Sequence, residues 1–330
     1  MKKNIKLCVL AMTAVLYLLT GCAPKSPPLD GDGRFQIVCT TFPQYDWVVN
    51  LVQGNEENVS VTLLMDKGGD LHNFQPSVLD IARVSGCDLF IYVGGESDGW
   101  VDDALKEAVN PDMRVINMME AVSDRLFEEE HAGGGSGHDG HDHGENDEHE
   151  YDEHIWLSVR NARIVVEDIA AELAGMDSAN AGLYRKNCDR YTAALDALDM
   201  RYTEAVQRNG GGTLIFADRF PFRYFVEDYG LEYYAAFDGC SAETEASFET
   251  VAFLVNQLDA LGLGTVLVLE GSDDRLARVV IENTVKGDQQ ILVLNSMQSV
   301  SSKELRAGIH YLNVMEENLK VLEQVLESGA

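Results

Sequence analysis

Twice along this 330-residue chain, short apolar runs alternate with stretches of helical periodicity, and that alternation restricts the fold more than any other feature. The runs FQIVCT (35–40), VSVTLLM (59–65), CDLFIYV (87–93) and MRVIN (113–117) read as strands. Helix-like stretches separate them, among them YDWVVNLVQ and SVLDIARVS. The latter starts at Ser77 after Pro76, carries Asp80 in a capping-box-like position, and sets Val78, Ile81 and Ala82 on one face. A second series follows residue 210: TLIFA (213–217), YYAAF (233–237), TVLVL (265–269) and QILVL (290–294). One intervening helix presents Phe222, Phe225, Val226 and Tyr229, and another Leu276, Val279 and Val280. Such an order implies parallel sheets covered by helices. Between the series, NARIVVEDIAAEL and a segment from about Ala179 to Gln207, ended by glycines 210–212, predict a helical connector over 158–209. The expected fold is α/β, with lobes at 35–157 and 210–330.

The opening MKKNIKLCVLAMTAVLYLLTGCAPKSPP has lysines at 2, 3 and 6 and an apolar run from Leu7 to Leu19. This reads as a secretory signal over residues 1–21, too short and wrongly flanked for a permanent span. Leu19-Thr20-Gly21-Cys22 resembles the bacterial lipobox, which implies cleavage before Cys22 and lipid on its thiol. Residues 22–34, with proline and glycine, would then tether an exported body to the outer face of the cell membrane. No later segment has eighteen consecutive apolar residues. The net charge of −30 excludes recognition of nucleic acid or anionic lipid through a basic surface and makes cations the natural partners. Export permits disulfides, but Cys39, Cys87, Cys188 and Cys240 form no CxxC pair and their scatter assigns no bridge.

In open α/β sheets, ligands gather beyond the carboxyl ends of strands. His72 follows the strand ending near Met65, Asp218 follows TLIFA, and Glu270 follows TVLVL with Asp273 and Asp274 close behind. His154 stands where an acidic, glycine-rich loop (128–153) gives way to IWLSVRNA. Imidazoles and carboxylates from both halves point to a cation site in the cleft between the lobes.

The segment TTFPQYDWVVNLVQGNEENVSVTLLMDKGGDLHNFQPSVLDIARVSGCDLFIYVGGESDGWVDDAL resembles the N-lobe of metal-binding lipoproteins of bacterial zinc and manganese ABC importers. HNFQPS, DEHIWLSVRNARIVVEDIA and GCSAETEASFETVAFLVNQLD are similar to further motifs of that family, and the likeness covers nearly all of 35–330. It implies two Rossmann-like lobes with a metal cleft, a connector that limits lobe motion, and His72 and His154 as the first two ligands. The third family position falls on Arg219, which cannot ligate because it stays protonated. Asp218 could substitute, or Arg219 could neutralise a neighbouring carboxylate and leave the shell incomplete. The fourth is a carboxylate, met by Glu270 first and Asp273 in reserve. Two imidazoles with carboxylates suit Zn2+ first and Mn2+ second, with no organic cofactor.

The resemblance further implies a monomeric binding protein that delivers its ion to an ABC permease driven by a cytoplasmic ATPase. A surface adhesin, or a metal-buffering lipoprotein without a transporter, is the alternative reading. A zinc hydrolase would need an open metal position and a base such as Glu243 or Glu245, but the chain has no HExxH, GxSxG or Walker-type loop. Six of the eight histidines lie in residues 131–154. Five of them, His131, His138, His141, His143 and His149, sit among acids and glycines too flexible to hold one geometry, a composition suited to collecting zinc beside the tight site. Deleting 131–149 is expected to spare one tight zinc equivalent and to remove weaker ones in a metal titration.

Overall fold

A computed structural model describes residues 33–129, 151–237, 239 and 246–328. Cys22, Cys240, Glu243, Glu245 and the histidines at 131, 138, 141, 143 and 149 lie outside the described residues. Strands β1 (Phe35–Cys39), β2 (Val59–Leu63), β3 (Leu89–Tyr92) and β4 (Arg114–Asn117) form one sheet in the order β2-β1-β3-β4. Strands β5 (Thr213–Phe216), β6 (Glu232–Ala235), β7 (Thr265–Leu269) and β8 (Gln290–Leu294) form a second in the equivalent order β6-β5-β7-β8. Every pairing between these strands is parallel. The two α/β lobes read from the sequence are therefore present, with strands ending one or two residues short of some apolar runs.

The helices are α1 (Phe42–Leu51), α2 (Val78–Gly86), α3 (Val101–Lys106), α4 (Met118–Ala121), α5 (Val159–Met176), α6 (Ala181–Asn209), α7 (Arg223–Tyr229), α8 (Phe248–Leu261), α9 (Arg275–Glu282), α10 (Ser302–Arg306) and α11 (Tyr311–Ser328). Ser77 and Asp80 form the capping box expected of α2. Gly210 closes α6 in the left-handed region that glycine enters without a Cβ penalty. Not every residue on those faces buries: Val78 is 89% and Val279 45% exposed, while Val84 with Ser85 on α2 and Ala277 with Val280 on α9 are buried. Helical periodicity fixes a face only to within a neighbouring residue. Among the described residues no helix is long and apolar enough to cross a membrane.

Helices α5 and α6 pack as an antiparallel pair, tied by Arg160 to Asp199 and Arg163 to Asp196, both at 2.9 Å. Their apolar faces, Val165, Ile169 and Leu173 on α5 with Tyr191, Leu195 and Tyr202 on α6, join one buried cluster that also contains Leu89 and Ile91 of β3, Phe216 of β5 and Leu267 of β7. One core thus serves both sheets. Trp47 on α1 meets Tyr311 on α11 edge-to-face at 5.2 Å, and the Tyr311 hydroxyl donates to the Trp156 carbonyl. Fully burying each such large side chain contributes roughly 1.5–3 kcal/mol. Cys39, Cys87 and Cys188 are free buried thiols, the first two in the N-terminal lobe.

Candidate metal centre

His72 and His154 come together although 82 residues separate them, with Nε2 atoms 3.4 Å apart. His72 lies on a single 3-10 turn, Leu71–Asn73, in the loop after β2. Asp70 caps that turn by accepting the His72 backbone N–H at 3.1 Å. His154 opens a second 3-10 turn, Ile155–Leu157, whose three apolar residues are buried and anchor it. Its ring is 2% exposed and packs edge-on to Trp156.

The outer nitrogens are each held by oxygen. His154 Nδ1 lies 2.9 Å from Asp152 Oδ1, which also accepts the His154 backbone N–H at 2.8 Å. His72 Nδ1 lies 2.9 Å from Ser97 Oγ and 3.6 Å from Glu153 Oε2. A carboxylate on Nδ1 keeps the proton there and turns the Nε2 lone pair outward, as a metal-binding imidazole requires. Two nitrogens each ~2.05 Å from a tetrahedral zinc ion are about 3.3 Å apart, so the observed spacing fits a shared ion.

The chain matches the ZnuA family, described as "Zinc-uptake complex component A periplasmic", over residues 37–325. It belongs to that family. Among curated ZnuA relatives, the zinc-binding lipoprotein AdcA of Streptococcus pneumoniae is 30% identical over 325 residues, 98% of this chain and 61% of AdcA. This chain therefore spans about three fifths of the length of that relative. The high-affinity zinc uptake system protein ZnuA of Bacillus subtilis is 27% identical over 328 residues, 98% of each chain. The crystal structure of the Zn(II)-bound ZnuA-like domain of S. pneumoniae AdcA shares the fold, with a TM-score of 0.69, 24% identity, and coverage of 89% of this chain and all of that one.

The carboxylates expected around the ion in this ZnuA-family chain are otherwise engaged. Asp218 accepts from the Arg219 N–H at 2.9 Å and the Leu269 N–H at 3.1 Å, so it ties the end of β5 to β7. Asp273 is exposed and binds Arg275. Glu270 is largely buried, and its oxygens accept the Ser296 N–H and hydroxyl, each at 2.7 Å. Burial pushes the Glu270 carboxyl up, and the Ser296 bonds oppose that. None of the three joins the imidazole pair into a group of three or more His, Cys, Asp or Glu among the described residues.

Beside the pair stands Gln298, in the loop after β8, with its side-chain amide against His154 Nε2. Three contacts aim this loop: Glu270 holds Ser296, the Trp156 indole N–H donates to the Ser296 carbonyl at 2.9 Å, and Asn295 Oδ1 accepts the Met297 N–H at 2.8 Å. Met297 is buried at φ 60°, a left-handed conformation costly without glycine and held here by its neighbours. Sequence reading applied the strand-end rule to β7 but not to β8, where it leads to Gln298. Asp152 and Glu153, in the run DEHIW, were readable as carboxylates flanking His154.

Asp98 lies behind Glu153, its Oδ2 accepting the Val93 N–H at 2.8 Å and the Gly94 N–H at 3.0 Å. Burial, with the Glu153 charge adding to it against the Gly94 bond, raises the Asp98 carboxyl to about 6. A group raised on folding contributes stability that is complete below its unfolded value, ~3.9, and lost as pH rises through the folded one. Asp98→Asn is therefore expected to match the native protein near pH 4 and to exceed it by roughly 2–3 kcal/mol at pH 7. Denaturant unfolding of chelator-treated protein across that range checks this, and parallel curves would contradict it.

Proposed function

We propose that this chain captures one zinc ion outside the cell membrane on His72 and His154, and gives it up to an ABC permease with its ATPase. The observation that carries this reading is the 3.4 Å Nε2 separation between two imidazoles whose other nitrogens face oxygen. Gln298 supplies a further donor: turning its amide by 180° presents Oε1, a neutral oxygen acceptor, to the same point. This ligand set is poorer in charge than the two histidines with carboxylates read from the sequence. Nitrogen-containing donors favour zinc over manganese along the Irving-Williams order. Binding and release, without bond-making in a substrate, are the activity.

The zinc-binding names of the relatives support the choice of ion, and the uptake-system names support a permease partner. The lipobox-like ending at Cys22 supports anchorage of an exported protein through residues 22–34, with lobes at 35–157 and 210–330 around the 158–209 connector. The test is titration of the mature chain with zinc, and separately manganese, against a chromophoric chelator, followed by elemental analysis. One tight zinc equivalent that depends on His72, and weaker manganese binding, are expected. A chain that purifies without zinc and takes none up stoichiometrically would end the proposal.

A further inference from the structure

Arg219 reaches across the cleft. Its Nη1 lies 2.7 Å from Asp70 Oδ2, with the carboxylate 13% and the guanidinium 31% exposed. The other Asp70 oxygen accepts the His72 backbone N–H, so one carboxylate joins a C-lobe cation to the turn that carries a ligand. Behind Arg219, Asp218 accepts its N–H and that of Leu269, which fixes the Arg219 backbone to β7. A hydrogen-bonded line thus runs from β7 to the backbone of His72. Burial acts to push the Asp70 carboxyl up, yet Arg219 and the His72 N–H outweigh it and hold the group below the usual range.

The same loop is fastened to the C-lobe at its base. Ser302 donates its N–H to the Asp66 carbonyl at 2.7 Å and its hydroxyl to the same carbonyl at 2.8 Å, and Lys67 forms an antiparallel bridge with Ser301. The His72 ring is thus held by Ser97 of the N-lobe, while the turn and loop that carry it are also fastened to the C-lobe. His154, by contrast, is buried and fixed from both lobes, with Asp152 on its Nδ1 and Gln298 on its Nε2.

Resting on the reading of His72 and His154 as zinc ligands, we infer that Arg219 is a positioning residue. It grips Asp70 to hold the His72 turn in the ion-binding arrangement, and so sets how long the ion stays. A ligand on a short turn costs ordering free energy each time it must be placed, and an interlobe ion pair removes that cost beforehand. Breaking the pair lets His72 leave the ion, so the effect falls on dissociation. Pairing with Asp70 also offsets the charge that would otherwise repel a dication.

The experiment uses the full mature chain and zinc ion, with equilibrium competition against a chelator and stopped-flow dissociation. Arg219→Met and Asp70→Asn each weaken affinity about 10-fold through faster dissociation, and the double variant is no weaker than either single one. Arg219→Lys, which keeps the cation, stays within about 3-fold. The Asp70→Asn change retains a side-chain acceptor for the His72 turn, so that variant keeps the cap if Arg219→Met folds poorly. Unchanged or tighter binding by Arg219→Met, or additive losses in the double variant, overturns the inference. A native protein whose tight zinc does not depend on His72 instead overturns the ligand assignment, and with it the basis of this one.

Discussion

Replacing His154 with alanine is expected to lower zinc affinity by more than ~100-fold while leaving the fold intact, since losing merely an outer partner of such a ligand already costs roughly 10–100-fold. The His154 Nε2 lies 3.4 Å from that of His72, the pair proposed to hold the ion. Loss of His154 removes the buried half of the pair and leaves His72 on a short turn. Alanine in its place also leaves Asp152 Oδ1 without its ring partner, although the backbone N–H still satisfies it, so the change in stability stays near ~1–2 kcal/mol. The check is chelator competition on the native and variant proteins beside their thermal unfolding curves. Retention of affinity within a few-fold would mean that the tight ion sits elsewhere.

Gly95→Ala should both destabilise the protein and impair zinc binding. Gly95 has φ 80° and ψ −167°, a region that only glycine occupies readily, so any side chain there costs ~1–3 kcal/mol. The added Cβ would also press on Glu153 Oε1 from well inside contact distance. That oxygen accepts the Ser97 N–H at 2.8 Å, and Ser97 Oγ in turn touches His72 Nδ1, so the displacement is passed to a proposed ligand. A combined cost of about 3 kcal/mol lowers the melting temperature by roughly 5–10 °C. Zinc affinity falls about 10-fold, as for lost outer partners. Calorimetry and chelator competition read the two effects, and a variant that melts and binds like the native chain would refute the strain argument.

Much of this was legible in the residues. Apolar runs of strand length, alternating with helical ones, specified two parallel sheets, and a single rule about strand ends picked out His72. The partner His154 was legible from DEHIWLS, because the order that returns at Ile155 rests on three apolar residues that must bury. Carboxylates were harder. Asp218 and Glu270 sit at strand ends as expected, but whether such a group faces a cleft or accepts backbone N–H groups depends on the neighbouring strand, which the local sequence does not reveal. Gln298 carries no charge and draws no notice in a search for metal ligands. Arg219 was visible as an incongruous residue, while its partner, 149 positions away, was not.

The apolar spine common to both sheets has a mechanical consequence. Opening this molecule like a clam would tear Trp47 from Tyr311 and wet a seam that runs through β3, β5 and β7. If the chain releases an ion as proposed, that release is a small-scale event, with the 66–73 loop yielding while the scaffold behind it stays shut. The permease partner proposed above would then need to grasp only that rim.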